Sequence, residues 1–153
     1  MREVLFRGKS KKDGEWYTGS LLKENHERTN EKTEIYKIKE FNIGFLSEWT
    51  FEPTYTSGFD EEVLPDTIGQ YTGLCDKNGK KIFEGDILST DIERPYLIVE
   101  FRDGCFMFNC NDGGEDYYDI MLPILKEPQT QYEYGEIIGN IHDNPELLKG
   151  GEG

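Results

Sequence analysis

Polar and apolar residues alternate over short distances along this chain, and no apolar run exceeds four residues, Tyr96–Val99 being one of that length. Alternation on this scale is the mark of half-buried strands, since successive strand side chains point to opposite faces. β-forming residues gather at Val4-Leu5-Phe6, Trp16-Tyr17 and Leu21-Leu22. Between the first two groups lies Asp13-Gly14, a pair that tolerates the positive φ angles of a tight hairpin turn. The polar stretch Lys23–Thr33, which holds His26, predicts a solvated loop. Strand character resumes at Ile35–Phe41 and again at Trp49–Tyr55, before Ser57-Gly58. The acidic stretch Asp60-Glu61-Glu62, closed by Pro65, predicts a linker. The expected organisation is thus an N-terminal β region over 1–65 packing on a second half, 66–149, followed by a frayed tail, 150–153.

In the second half the pattern sharpens. Ile68–Leu74 and Lys81–Leu88 flank Asp76-Lys77-Asn78-Gly79, a turn sequence. Tyr96–Phe101 meets Cys105–Phe108 across Arg102-Asp103-Gly104. A two-residue turn at Asp103-Gly104 would set Phe101 opposite Phe106 and Val99 opposite Phe108, all on one face, with Glu100 and Met107 on the other. Tyr117–Leu125 and Tyr134–Ile141 read as further strands, joined through a loop over Pro128–Gln131. Asn144-Pro145-Glu146-Leu147-Leu148 begins like a helix, with an N-cap and then Pro at the first helical position. Short strands, frequent turns and little helix predict a mainly β fold, a small barrel or roll.

Composition narrows the functional classes. The 153 residues hold 17 Lys and Arg against 31 Asp and Glu, a formal net charge of -14. That field opposes general attraction to nucleic acid or to an anionic membrane. Mean hydropathy is -0.71, and 9 Phe, 9 Tyr and 2 Trp supply much of the burial capacity. Cys75, Cys105 and Cys110 contain no CxxC pair, which fits a reducing compartment and argues against a disulfide framework. The alternating, charged start is unlike a signal peptide, so the expected location is cytoplasmic.

The stretch Ile68–Leu88, dense in glycine and charge, invites three readings: a phosphate cradle, a metal loop or a hairpin. A phosphate loop needs GxxxxGK[ST]; Gly79-Lys80 is followed by Lys81, and position 74 is Leu. Gly8-Lys9-Ser10 likewise has Glu3 where the first glycine should stand. Asp76 and Asn78 begin the ligand rhythm of a calcium loop, but Gly79 comes too early and lysines then replace the oxygen ligands. The stretch reads as a hairpin, with Gly85 leading Asp86 into a strand.

Other constellations carry chemical readings beside structural ones. Asp86 is a candidate acid or a turn-fixing hydrogen-bond acceptor. Cys75, Cys105, Cys110 and His142 match a Cys₃His donor set without paired zinc knuckles. Asp112, Glu115, Asp116 and Asp119 surround Gly113-Gly114 as a weak cation site or a solvated loop. His142-Asp143 with Cys110 or Ser89 lacks a nucleophile elbow. Lys80 and Lys81, with Lys9, Lys11 and Lys12, form a local basic edge or protect strand edges.

Three segments carry a family resemblance. They are Met1–Lys9 with Gly14-Glu15-Trp16; Ile68–Ile87, with Gly69, Gln70-Tyr71-Thr72-Gly73, Asp76-Lys77-Asn78-Gly79 and Ile82-Phe83-Glu84-Gly85-Asp86; and Ile138-Gly139-Asn140-Ile141-His142-Asp143-Asn144-Pro145-Glu146-Leu147-Leu148. Together they resemble the YopX family, small proteins encoded by bacteriophages and prophages of Gram-positive bacteria. At the opening the chain departs from many relatives, which continue Lys-Phe-Arg with Ala-Trp-Asp where Gly8-Lys9-Ser10 stands here. The resemblance implies a β-rich fold with an SH3-like barrel or roll in the second half, and cytoplasmic residence in a bacterial host. It implies no catalytic residues, no cofactor and no metal, and its signature positions are expected to be mostly structural.

The leading expectation is a non-enzymatic module binding a host or phage protein, through aromatics around Gln70-Tyr71-Thr72 or through acidic edges. Tyr71 as a core residue, with Gln70 satisfying a turn, stands beside that reading. One alternative is an enzyme acting on nucleotides or nucleic acid, with Asp86 and Asp112 converging on a divalent metal. Another is nucleic-acid binding through the lysine-bearing hairpins. Exposed strand edges also suit a homo-oligomer.

Overall fold

The computed structural model describes residues 3–28, 31–40, 42–43, 55–56, 60–89, 96–111, 116–120 and 135–148. The chain is mainly β, and it divides into two compact units, Glu3–Gln70 and Tyr71–Gly153.

In the first unit β1 (Phe6–Lys9), β2 (Trp16–Arg28), β3 (Glu31–Lys39) and β6 (Asp60–Glu62) form an antiparallel sheet in the order β6-β3-β2-β1. Between β3 and β6, β4 (Asn42–Ile43) pairs with β5 (Tyr55–Thr56). Strand β7 (Gly69–Cys75) begins beside β1, with Phe6 opposite Gln70 and Arg7 opposite Gly69, and carries the chain into the second unit. Ile38 and Val63 are fully buried here. Arg7 lies 4.8 Å over the Trp16 ring, a cation–π contact.

Two sequence expectations are corrected in this unit. Lys23–Arg28 and Glu31–Thr33 are strand where a loop is expected: β2 and β3 run antiparallel as far as Arg28 opposite Glu31. Charge pairing across the ladder makes the polar sequence compatible with strands, with Lys23 Nζ 2.7 Å from Glu34 and Lys37 Nζ 3.0 Å from Glu24. Nor is Asp60-Glu61-Glu62 a linker. It is β6, pairing Lys37 with Glu62 and Lys39 with Asp60, and Lys39 Nζ lies 3.0 Å from the Asp60 carboxylate.

The second unit contains the rest of β7, β8 (Lys81–Phe83) and a five-stranded antiparallel sheet. Its order is β12-β11-β10-β9-β13, from β9 (Asp86–Ser89), β10 (Leu97–Arg102), β11 (Cys105–Asn111), β12 (Asp116–Ile120) and β13 (Glu136–Asn140). The described strands make open sheets and no closed barrel. The register expected for the β10–β11 hairpin is the one found: Val99 faces Phe108, Glu100 faces Met107 and Phe101 faces Phe106. Asp103 (φ 51°) and Gly104 (φ 84°) take the two positive-φ places of its turn. One face of the sheet builds the core. Ile82, Leu88, Val99 and Phe106 are buried there, with Leu74, Leu97, Phe108 and Ile137 packed against them. Burying each large aliphatic side chain contributes about 2 kcal/mol. Helix is confined among the described residues to 3-10 turns at Pro65–Thr67 and Pro145–Leu148, and no described helix is long and apolar enough to cross a membrane. The loop expected at Pro128–Gln131 and most of the run Trp49–Tyr55 lie outside the described residues.

Candidate functional site

A dense set of polar interactions among the described residues of the second unit is built on the glycine-rich stretch. Asp76, at the end of β7, is buried. Its Oδ1 accepts hydrogen bonds from the amides of Asn78 and Lys80, both at 2.9 Å, and its Oδ2 accepts one from the amide of Ile137 at 3.2 Å. Its own amide donates to the Lys80 carbonyl at 2.8 Å, and Gly79 N donates back to the Asp76 carbonyl at 2.9 Å. One carboxylate thus closes the β7–β8 turn and ties it to the start of β13. Burial pushes the Asp76 carboxyl upward, but the three donated amides outweigh it and hold the group below its ordinary value.

Between Tyr71, opposite Phe83, and Cys75, opposite Lys81, β7 holds more residues than β8, so the ladder is bulged. Gly73 sits in the bulge at φ 91°. The Thr72 hydroxyl donates to the Ile82 carbonyl at 2.9 Å, a bond the interrupted ladder does not make, and accepts from Leu74 N at 3.2 Å. Tyr71 is buried, 5.6 Å from the Phe83 ring and 5.2 Å below Lys81 Nζ. Gln70 is half-buried. The stretch Gln70-Tyr71-Thr72 therefore presents no exposed aromatic, and the core reading of Tyr71 holds.

Asp86 is also buried, and its Oδ2 accepts from the Phe83 amide at 2.8 Å across the turn that Gly85 makes. Gly85 N donates to the Val99 carbonyl and Ile141 N donates to the Gly85 carbonyl, which joins this turn to β10 and to the end of β13. Asn140 lies opposite Asp86. Its Oδ1 accepts from His142 N at 3.0 Å and Asp143 N at 2.9 Å, and its amide donates to Asn144 Oδ1 at 3.3 Å. The Asn144 side chain lies across Gly139 so closely that an added Cβ would come within 2.8 Å of Asn144 Cγ. That close approach is the reason for glycine there.

The remaining candidates sit apart. Gly8 and Lys9 belong to β1, and the Ser10 hydroxyl donates to Glu61 Oε1 at 2.6 Å and accepts from Lys12 N at 3.0 Å, organising the first hairpin turn. Among the described residues no group of three or more His, Cys, Asp and Glu converges on a metal position. Cys75 is exposed, while Cys105, partly covered, points its thiol at the Arg102 carbonyl, 3.6 Å away. Asp112 and Glu115 lie outside the described residues, so the proposed convergence of Asp86 with Asp112 does too.

One surface feature went unrecognised in the sequence. Phe101 shares the core-facing side of β10 with Val99, yet it is 51% exposed, because the core gives out before the hairpin tip. An edge-to-face contact with Phe106, centroids 5.1 Å apart, holds its ring. The available signal was its place as the last core-facing residue of β10, two positions before the turn.

With this geometry in place, comparison with known proteins is informative about kinship. The family model described as YopX protein matches residues 5–149. No curated protein matches the chain. Among solved structures, the crystal structure of protein EF1440 from Enterococcus faecalis aligns with 97% of this chain and 100% of its own, at 25% identity and a TM-score of 0.44.

Proposed function

The chain belongs to the YopX protein family, and from that premise we propose that it is a non-enzymatic binding module that engages a host or phage protein in the cytoplasm of a bacterial cell. The observation that carries this reading is how the signature side chains are spent. Asp76, Asp86 and Asn140 direct their acceptor oxygens at backbone amides of their own turns. Such groups fix backbone geometry and are poorly placed to bind a reacting ligand as well. An SH3-like roll in the second unit belongs to the same reading. It is supported by the β9–β12 meander with β13 returning beside β9.

The contact we assign to the partner is the β10–β11 tip, with Phe101 as its anchor. A rigid, half-exposed aromatic is the kind of residue on which binding energy concentrates. Affinity capture from nuclease-treated lysate of infected host cells, then reconstitution with the purified partner, tests the proposal. A stoichiometric complex weakened about tenfold or more by Phe101→Ser, in keeping with the loss of an aromatic anchor, is the expected result. Recovery of the bait alone, or metal-dependent turnover of nucleotides by the purified chain, would overturn it.

A further inference from the structure

The β2–β3 hairpin reaches well past its neighbours. β1 pairs with β2 only as far as Gly19, and β6 pairs with β3 only as far back as Lys37, with Val63 just after β6 bonding Tyr36. Beyond those points β2 and β3 continue as a two-stranded ribbon to Arg28 and Glu31, and among the described residues no strand lies on its β2 side.

The direction of the ribbon's backbone groups follows from one bond. The Tyr36 carbonyl accepts from Val63 N, so it points away from β2. Tyr36 and its partner Lys23 are then a pair without mutual ladder bonds, and by the alternation of antiparallel ladders Asn25 and Glu27 are placed likewise. On the β2 side, the N–H and C=O groups of Lys23, Asn25 and Glu27 therefore face outward.

The sequence along that edge is self-complementary. A two-fold axis at Asn25 sets two copies of β2 antiparallel, with Asn25 opposite Asn25, Lys23 opposite Glu27 and Glu24 opposite His26. Shifting the pairing by two residues in one direction sets Glu24 against Glu24, and in the other His26 against His26. All three registers join outward-facing groups. The one centred on Asn25 avoids like residues at its axis other than the neutral Asn25. It sets Lys23 and Glu24, which also hold Glu34 and Lys37 within the chain, against Glu27 and His26 of the second copy.

We propose that this edge is a homodimer interface, in which β2 of a second copy of the chain adds antiparallel to β2 in the register centred on Asn25. The occupant is argued from charge complementarity: the edge is mixed in sign and matches itself when reversed. An isologous pairing of this kind closes on two copies and leaves no further edge of β2 to propagate. The inference is independent of the partner assigned to the β10–β11 tip.

Light scattering coupled to size exclusion, over a series of concentrations of the full chain, tests it. A species of twice 17.8 kDa is expected, giving way to 17.8 kDa on dilution. Lys23→Glu and Glu27→Lys should each abolish the dimer, and the double variant should restore it. Asn25→Pro is the second test. It removes an outward N–H that the β2–β3 ladder does not use, so the far-ultraviolet circular dichroism should be kept while the dimer is lost. A wild-type chain that stays at 17.8 kDa throughout, or a dimer that survives both charge reversals and the proline, overturns the inference.

Discussion

Replacing Asp76 tests the claim that one carboxylate joins the signature hairpin to β13. Its Oδ1 serves the Asn78 and Lys80 amides much as a capping residue serves a helix start, and losing such a cap costs about 1 kcal/mol. Its Oδ2 serves Ile137, half-buried and 61 residues away, in a charge-assisted bond worth about 1.5 kcal/mol or more. Asp76→Ala should therefore destabilise the second unit by about 3 kcal/mol. With a urea slope of about 1–3 kcal/mol/M, the midpoint falls by about 1–3 M. Asp76→Asn keeps an acceptor for the turn but sets an NH₂ group against the Ile137 amide, so it should cost about 1.5 kcal/mol. The pH dependence has a definite sign. Because the folded carboxyl lies below its ordinary value of 3.8, its contribution is complete above that value and fades as pH falls through the lower folded one. The gap between wild type and Asp76→Asn should accordingly narrow in acid. Urea titrations followed by circular dichroism, with amide exchange at Ile137 as the local probe, measure both effects. Unchanged Ile137 exchange and an unchanged midpoint in Asp76→Asn would refute the reasoning.

Two further substitutions probe other joints of the fold. Gly19→Ala drives a Cβ into the Lys39 carbonyl across the β2–β3 ladder, a backbone obstacle that cannot rotate away; a loss of about 1–3 kcal/mol is expected, read from thermal unfolding of the variant. Thr72→Val removes the hydroxyl that serves the Ile82 carbonyl in the β7 bulge. Leaving that buried acceptor without its partner should cost about 1–2 kcal/mol in urea unfolding, whereas Thr72→Ser should recover most of the loss.

Much of this architecture was legible where its causes are local. The β10–β11 register followed from Asp103-Gly104 and the alternation on either side, because a two-residue turn leaves the strands one pairing. The Asp76-Lys77-Asn78-Gly79 turn was legible for the same reason. What escaped depends on partners remote in sequence. Nothing near Lys23–Arg28 marks it as strand, since Lys23 and Glu24 gain ion-pair partners only when β3 brings Glu34 and Lys37 diagonally across the ladder. Asp60-Glu61-Glu62 became a strand for a similar reason, with lysines of β3 offsetting its charge. Tyr71 could be assigned to core or to surface only once Phe83 and Lys81 were placed around it. Phe101 obeys the alternation rule and still stands exposed, because a pattern reports which face a residue takes but not how far the core extends beneath it.

The same contrast bears on where function resides. A motif such as Gln70–Asp86 is recognisable because tight turns and bulges admit few solutions: a hydroxyl at Thr72 for an interrupted ladder, carboxylates at Asp76 and Asp86 for turn amides. Those demands arise from the backbone and would be the same whatever the protein binds. The signature is therefore strong testimony to fold and weak testimony to activity. Residues free to vary with a ligand must lie where the backbone makes no such demand, as at the β10–β11 tip and along the outer edge of β2. If Phe101→Ser disrupts a complex while Asp76→Asn lowers stability and leaves partner affinity per folded molecule unchanged, the division between scaffold and contact surface stands. A reversed result, with affinity following Asp76 at constant folded fraction, would return the binding function to the signature itself.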